Sequence, residues 1–155
     1  MLETPSLIFV SISSQKNKVM AESASHIRLV NALVRWISKS YFNGETGSIF
    51  IDSPDSSLGS RPPRIYNYTP DVLVPPGLAE IFIIGEAKTP SDLETNHSME
   101  QFVAFIKKCS EFDNSLFVLA VRWDFVRLGY SIVRHAQKIA DANYVKVKVL
   151  EKLAG

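Results

Sequence analysis

Asp71, Glu86 and Lys88 are the residues whose types and spacing could do chemistry. Glu86 and Lys88 stand two positions apart where the apolar run Ile81 to Ala87 ends, so on an extended segment their side chains leave the same face. Asp71 lies near the start of the preceding run, Thr69 to Val74. If the two runs pair as a hairpin with Val74 opposite Ile81, Asp71 faces Ile84 and shares a face with Glu86 and Lys88. A slip of one residue would move it to the other face. Two carboxylates are hard oxygen ligands of the kind that hold Mg²⁺, an ion that keeps several waters and takes further ligands from phosphate. Such an ion acidifies a water and stabilises the charge of an in-line phosphoryl transfer. An ammonium beside it can orient the attacking water and add positive charge. The plainer reading of Glu86 and Lys88 is a surface ion pair worth about 0–1 kcal/mol, yet such a pair rarely terminates a strand apolar on both faces. Asp71 could equally do no more than start a turn after Pro70.

These residues need elements to hold them. Ile27, Val30, Leu33, Val34 and Ile37 recur at helical spacing and predict a helix from about Met20 to Tyr41, ended by Asn43-Gly44. Residues 47–52 read as a short strand, and Asp55 to Tyr68, rich in Ser, Gly, Pro and Arg, as a surface loop. Pro75-Pro76-Gly77 supplies the turn of the hairpin. Phe102, Phe105, Ile106, Cys109 and Phe112 give one apolar side to a helix from about Ser98 to Phe112. Leu116 to Val121 is a buried strand, residues from about Asp124 to Asp141 a third helix, and Tyr144 to Leu150 an alternating edge strand. Leu7 to Ile12 could add a short strand to an otherwise weakly specified lead-in. The order α-β-β-β-α-β-α-β predicts an α/β domain with a mixed sheet and helices on both faces.

Pro70-Asp71, a gap of fourteen residues and Glu86-Ala87-Lys88 together resemble the signature of the PD-(D/E)XK nuclease superfamily. The element order from Met20 to Leu150 is similar to that family's restriction-endonuclease-like αβββαβ core, so the resemblance covers most of the chain. It implies that Asp71, Glu86 and the Ala87 carbonyl are metal ligands and that Lys88 is the catalytic lysine. It also implies a first-helix glutamate completing the acidic cluster, for which Glu22 is the candidate. Gln101 matches a glutamine that some members carry in the helix after the lysine. The implied activity is Mg²⁺- or Mn²⁺-dependent hydrolysis of DNA, rather than RNA, as an endonuclease. The alternative is a silent nucleic-acid-binding or assembly module of the same fold.

Other residues carry weaker signals. Glu22 could serve only as an acid favoured by a helix dipole. His26, four residues beyond it, could support the site but reads more simply as an ordinary helix histidine. His97 shares a helix face with Gln101 and could touch phosphate, whereas His135 carries no signal. Gly85 to Thr89 faintly echoes a phosphate loop but lacks both Gly-Lys-Thr and the second glycine. Arg61, Arg64, Tyr66 and Tyr68 suit backbone contact or base stacking, against a solvated loop whose tyrosines pack down on the core. Lys107, Lys108, Arg122, Arg127 and Arg134 are spread over several elements.

Composition sets the limits. The 155 residues, 46% hydrophobic and 21% charged, predict one folded domain spanning 1–155 rather than a disordered chain. One cysteine excludes a disulfide framework and a Cys-built zinc site and suits a reducing compartment. No apolar run approaches a membrane span and the N-terminus lacks a basic signal region, so a cytoplasmic protein with no membrane partner is expected. The net charge of +1 includes the proposed acidic cluster: without Glu22, Asp71 and Glu86 the balance is 17 basic against 13 acidic residues. That excess permits modest, salt-dependent DNA affinity. So small a nuclease has almost no sequence left for a specificity domain, and cutting both strands calls for a homodimer or a place in a larger nuclease complex.

Overall fold

A computed structural model describes residues 24–52, 60–77 and 80–151. The sheet has five strands in the order β1-β2-β3-β4-β5: β1 (Phe50–Ile51), β2 (Val72–Val74), β3 (Phe82–Ala87), β4 (Ser115–Ala120) and β5 (Lys146–Val149). β1, β2 and β3 form an antiparallel meander, and β3, β4 and β5 run parallel. Parallel strands need crossovers, and each crossover here carries a helix. α2 (Pro90–Leu93) and α3 (Asn96–Cys109) join β3 to β4, and a 3₁₀ turn (Trp123–Phe125) with α4 (Val126–Ala140) joins β4 to β5. A further helix, α1, covers 24–41 ahead of β1.

The two faces of the sheet have separate cores. Leu73, Ile84, Phe117 and Leu119 pack with Phe102, Phe105 and Ile106 of α3 and Val133 and Ala136 of α4. Val72, Val74, Ile83 and Val118 pack with Leu29, Val30, Leu33 and Ile37 of α1. This double covering explains why β3 and β4 are buried at every position and read as unbroken apolar runs. β5, at the sheet edge, alternates Lys and Val in sequence, but its burial does not alternate and only Val149 is fully buried.

The expected elements are present, with shifted ends. β1 and β2 are shorter than the runs that announced them, and α3 starts two residues earlier than expected, at Asn96. Thr95 sets that start, since its Oγ1 accepts the Ser98 N–H at 3.1 Å while the Ser98 hydroxyl reaches the Asp92 carbonyl. Thr95→Ala removes this cap, and a loss of about 1 kcal/mol corresponds to a fall in Tm of about 2–4 °C for a domain of this size, measurable by circular dichroism. The third helix expected from Asp124 begins as the 3₁₀ turn and ends at Asp141, whose φ of 52° stops it. The helix expected from Met20 is described only from residue 24, and Glu22 and the run Leu7 to Ile12 lie outside the described residues.

The hairpin register differs from the expected one. Val74 pairs with Ile83, not Ile81, and Val72 with Gly85, which carries Asp71 to a position opposite Glu86 instead of Ile84. The slip is two residues. Because strand side chains alternate with period two, an even slip keeps the face and changes only the partner.

Candidate active site

Three polar residues interrupt an otherwise apolar layer at the carboxyl end of β3. Asp71, Glu86 and Lys88 are all buried, with Glu86 only 3% exposed. The Asp71 N–H donates to Glu86 Oε2 at 3.4 Å, and Lys88 Nζ lies 3.8 Å from Glu86 Oε1. The Lys88 N–H continues the parallel ladder to the Ala120 carbonyl, fixing the lysine beside the end of β4. Its ammonium donates to Gln101 Oε1 of α3 at 2.5 Å. The structure therefore brings Asp71, Glu86, Lys88 and Gln101 together. Ala87 joins them through its N–H, which donates to Asp71 Oδ2 at 2.8 Å.

His26 is the residue whose part in the site its sequence position undersold. Its Nε2 lies 3.2 Å from Asp71 Oδ2, so α1 reaches the cluster from the opposite side to α3. Gly85 makes that approach feasible: a Cβ there would stand 3.3 Å from Val72 Cβ and 3.5 Å from the Leu33 side chain, where α1 crosses β3. The available signals were the single glycine in IFIIGEA and the position of His26 one helical turn after Glu22.

The electrostatics separate the two carboxyls. Burial, with the adjacent Asp71 charge, pushes Glu86 well above the usual carboxylate range. Burial pushes Asp71 the same way, but hydrogen bonding with His26 and Glu86 outweighs it and holds Asp71 below its ordinary value. The hydrogen bond to Asp71 raises His26. Glu86 is thus a buried acid whose polar contacts are long, at 3.4 and 3.8 Å. Such a group keeps its proton to higher pH than an ordinary carboxyl, and a cation would have to displace that proton.

The donor types suit a hard divalent cation: the Asp71 and Glu86 carboxylates, linked through the Asp71 N–H, with the His26 ring on Asp71. Among the described residues no group of three His, Cys, Asp or Glu side chains is already gathered at metal-holding distances. Glu22, the expected first-helix member, is outside that set. Cys109 offers no alternative chemistry, because burial pushes its thiol up to about 12.

The remaining candidates lie apart from the cluster. His97 is exposed, its ring edge-on to Tyr68 with centroids 5.7 Å apart, and His135 is exposed on α4. Tyr68 also packs on Phe105, as the plainer reading of that loop expected, whereas Tyr66 stays exposed and Arg64 donates to the Asn67 carbonyl. Lys108 is paired with Glu111 at 2.8 Å. Arg127 and Arg134 line one groove on α4 with His135 and Lys138, while Arg122 borders a separate cleft and Lys107 a third. The basic residues therefore form several patches and not one. No helix among the described residues is long and apolar enough to cross a membrane. The chain matches no family model, no curated protein and no solved structure.

Proposed function

We propose that the chain is a metal-dependent nuclease of the PD-(D/E)XK type that hydrolyses DNA phosphodiester bonds as an endonuclease. One observation carries the reading: Asp71 and Glu86 stand opposite each other across β2 and β3, with Lys88 3.8 Å from Glu86, at the end of a strand buried on both faces. The succession α1, β1, β2, β3, α3, β4 supports a restriction-endonuclease-like core, with the short α2 inserted before α3. The carboxyl ends of parallel strands are also where open α/β sheets bind ligands.

The residues divide the work. Asp71, Glu86 and the Ala87 carbonyl would hold Mg²⁺ or Mn²⁺, with Glu22 as a further acid. Bound there, the ion would supply a Lewis acid that acidifies water and neutralises phosphate charge. Lys88 would hold the attacking water and place positive charge beside the phosphorus. Gln101 fixes the lysine from α3, and His26 and the Ala87 N–H fix Asp71. The grooves bordered by Arg122 and by Arg127, Arg134 and Lys138 would attract a phosphate backbone. A homodimer, or a larger complex, would be required only where both strands of a duplex are cut.

The test combines purified protein with single-stranded, duplex and branched DNA, with and without Mg²⁺. Metal-dependent cleavage is expected. No cleavage of any DNA or RNA, with binding retained, would leave the silent module of the same fold. Gln101→Leu, which removes the acceptor for Lys88 but no metal ligand, should lower the cleavage rate by roughly 10-fold, the lower end for outer partners of a reacting group, with little change in KM.

A further inference from the structure

Next to the acidic cluster, a cleft of about 340 Å³ opens between α1 and the turn that follows β4, lined by Ser25, Arg28, Thr89, Pro90, Arg122 and Trp123 among others. Two of these residues tie it to the cluster, since Ser25 precedes His26 and Thr89 follows Lys88. Trp123 is 73% exposed. An indole is rarely left so open in a monomer, because covering it would recover a large apolar contribution. Arg122 is held beside it by a fork to the Asp124 carboxylate at 2.6 and 2.8 Å and by the Phe125 ring, 5.0 Å below its guanidinium. That fork occupies one edge of the guanidinium and leaves further N–H donors for a phosphate. Arg28 contributes a second cation from the α1 wall.

Among the described residues the cleft lining combines an exposed indole with two arginines, Arg28 and the Asp124-bound Arg122, a set that suits a base and its backbone phosphates. The volume is small for a ligand pocket. A base stacked in a duplex has both faces covered by its neighbours, so only an unpaired or extruded base can lie against the indole. We propose that this cleft receives an unpaired base of a single-stranded polynucleotide, stacked on Trp123, with Arg28 and Arg122 on the flanking phosphates. The inference rests on the nuclease reading of the adjacent cluster and names the substrate class: single strands, or unpaired ends and flaps. Trp123 and the two arginines bind and position; they carry none of the bond breaking.

The experiment measures binding without chemistry. The full chain is titrated against a fluorescein-labelled oligothymidylate and against a blunt hairpin duplex, in EDTA, by anisotropy. The single strand should bind at least about 10-fold more tightly than the duplex. Trp123→Ala should weaken single-strand binding by about 5- to 150-fold, the range that base–aromatic stacking supplies, and Trp123→Tyr should recover most of it. Arg28→Ala should weaken binding and reduce the salt slope by about 1. Equal affinity for duplex and single strand, or a Trp123→Ala affinity within about twofold of the parent, would overturn the cleft assignment. Because these arms contain no divalent metal, single-strand binding with no cleavage under any metal would remove the nuclease reading while supporting the cleft. Cleavage without dependence of binding on Trp123 would do the reverse.

Discussion

Asp71→Asn should abolish Mg²⁺-dependent cleavage, lowering kcat by about 10²- to 10³-fold or more, while DNA affinity in EDTA stays unchanged. The amide keeps an oxygen that can accept the Ala87 N–H, so the join between β2 and β3 survives the substitution. What it loses is the charge. Glu86 then becomes the cluster's single anion, and a divalent ion would have lost half of its neutralising charge. Lys88→Ala should lower kcat to a comparable extent by a different route, because both carboxylates remain and metal binding should persist. Single-turnover cleavage of radiolabelled DNA, set beside metal binding followed calorimetrically, separates the two. Residual metal-dependent activity at the parental level in either variant would show that the reacting centre lies elsewhere.

The two substitutions differ because only one removes a proposed metal ligand; the cluster as a whole draws on the sheet and on both helical layers, and that assembly explains what could be read in advance. The facing of Asp71 toward Glu86 and Lys88 was legible because strand alternation depends on parity alone, and the actual register differs by an even number of residues. The partner itself was not legible. Pro75-Pro76-Gly77 marks a turn but does not fix how many residues follow it before pairing begins, and here pairing resumes only at Ile83. Gln101 could be placed by helical spacing, yet its contact with Lys88 depends on how α3 packs over β3, a property of the two cores. His26 was harder still. Its approach depends on Gly85 letting α1 lie close to the sheet, a relation between residues nearly sixty positions apart. The basic residues show the same limit, since Arg127, Arg134 and Lys138 share a groove through helical periodicity while Lys107 and Arg122 are sent elsewhere by the packing of α3 and the turn after β4.

The metal-free protein should lose stability as pH rises, and Mg²⁺ or Mn²⁺ should restore it. Glu86 is raised by burial and by its neighbour Asp71, so above the ordinary carboxyl value of 4.5 the folded state keeps a proton that the unfolded chain has released. Stability therefore falls with rising pH from that value up to the raised folded one, where the proton finally leaves. His26, raised by Asp71, acts in the same sense: its contribution is complete below 6.5 and is lost as pH climbs through its folded value. Asp71 acts in the opposite sense and only in acid, because its lowered value makes its contribution disappear as pH falls from 3.8 through the folded value. A divalent ion held by Asp71 and Glu86 would take the place of the Glu86 proton, so its stabilisation should grow over the range in which the metal-free protein weakens. At ten times Kd the gain is about 1.4 kcal/mol and at a hundred times about 2.7 kcal/mol, or roughly 3–10 °C in Tm for a domain of this size. Glu86→Gln should separate the two effects, raising the Tm of the metal-free protein at neutral pH and removing most of the response to metal. Thermal melts from pH 4.5 to 8.5, with and without Mn²⁺, test both halves. A metal-free profile that is flat or rising across that range, together with no metal-induced shift, would mean that the buried acid holds neither proton nor cation and that the cluster is only an internal ion pair.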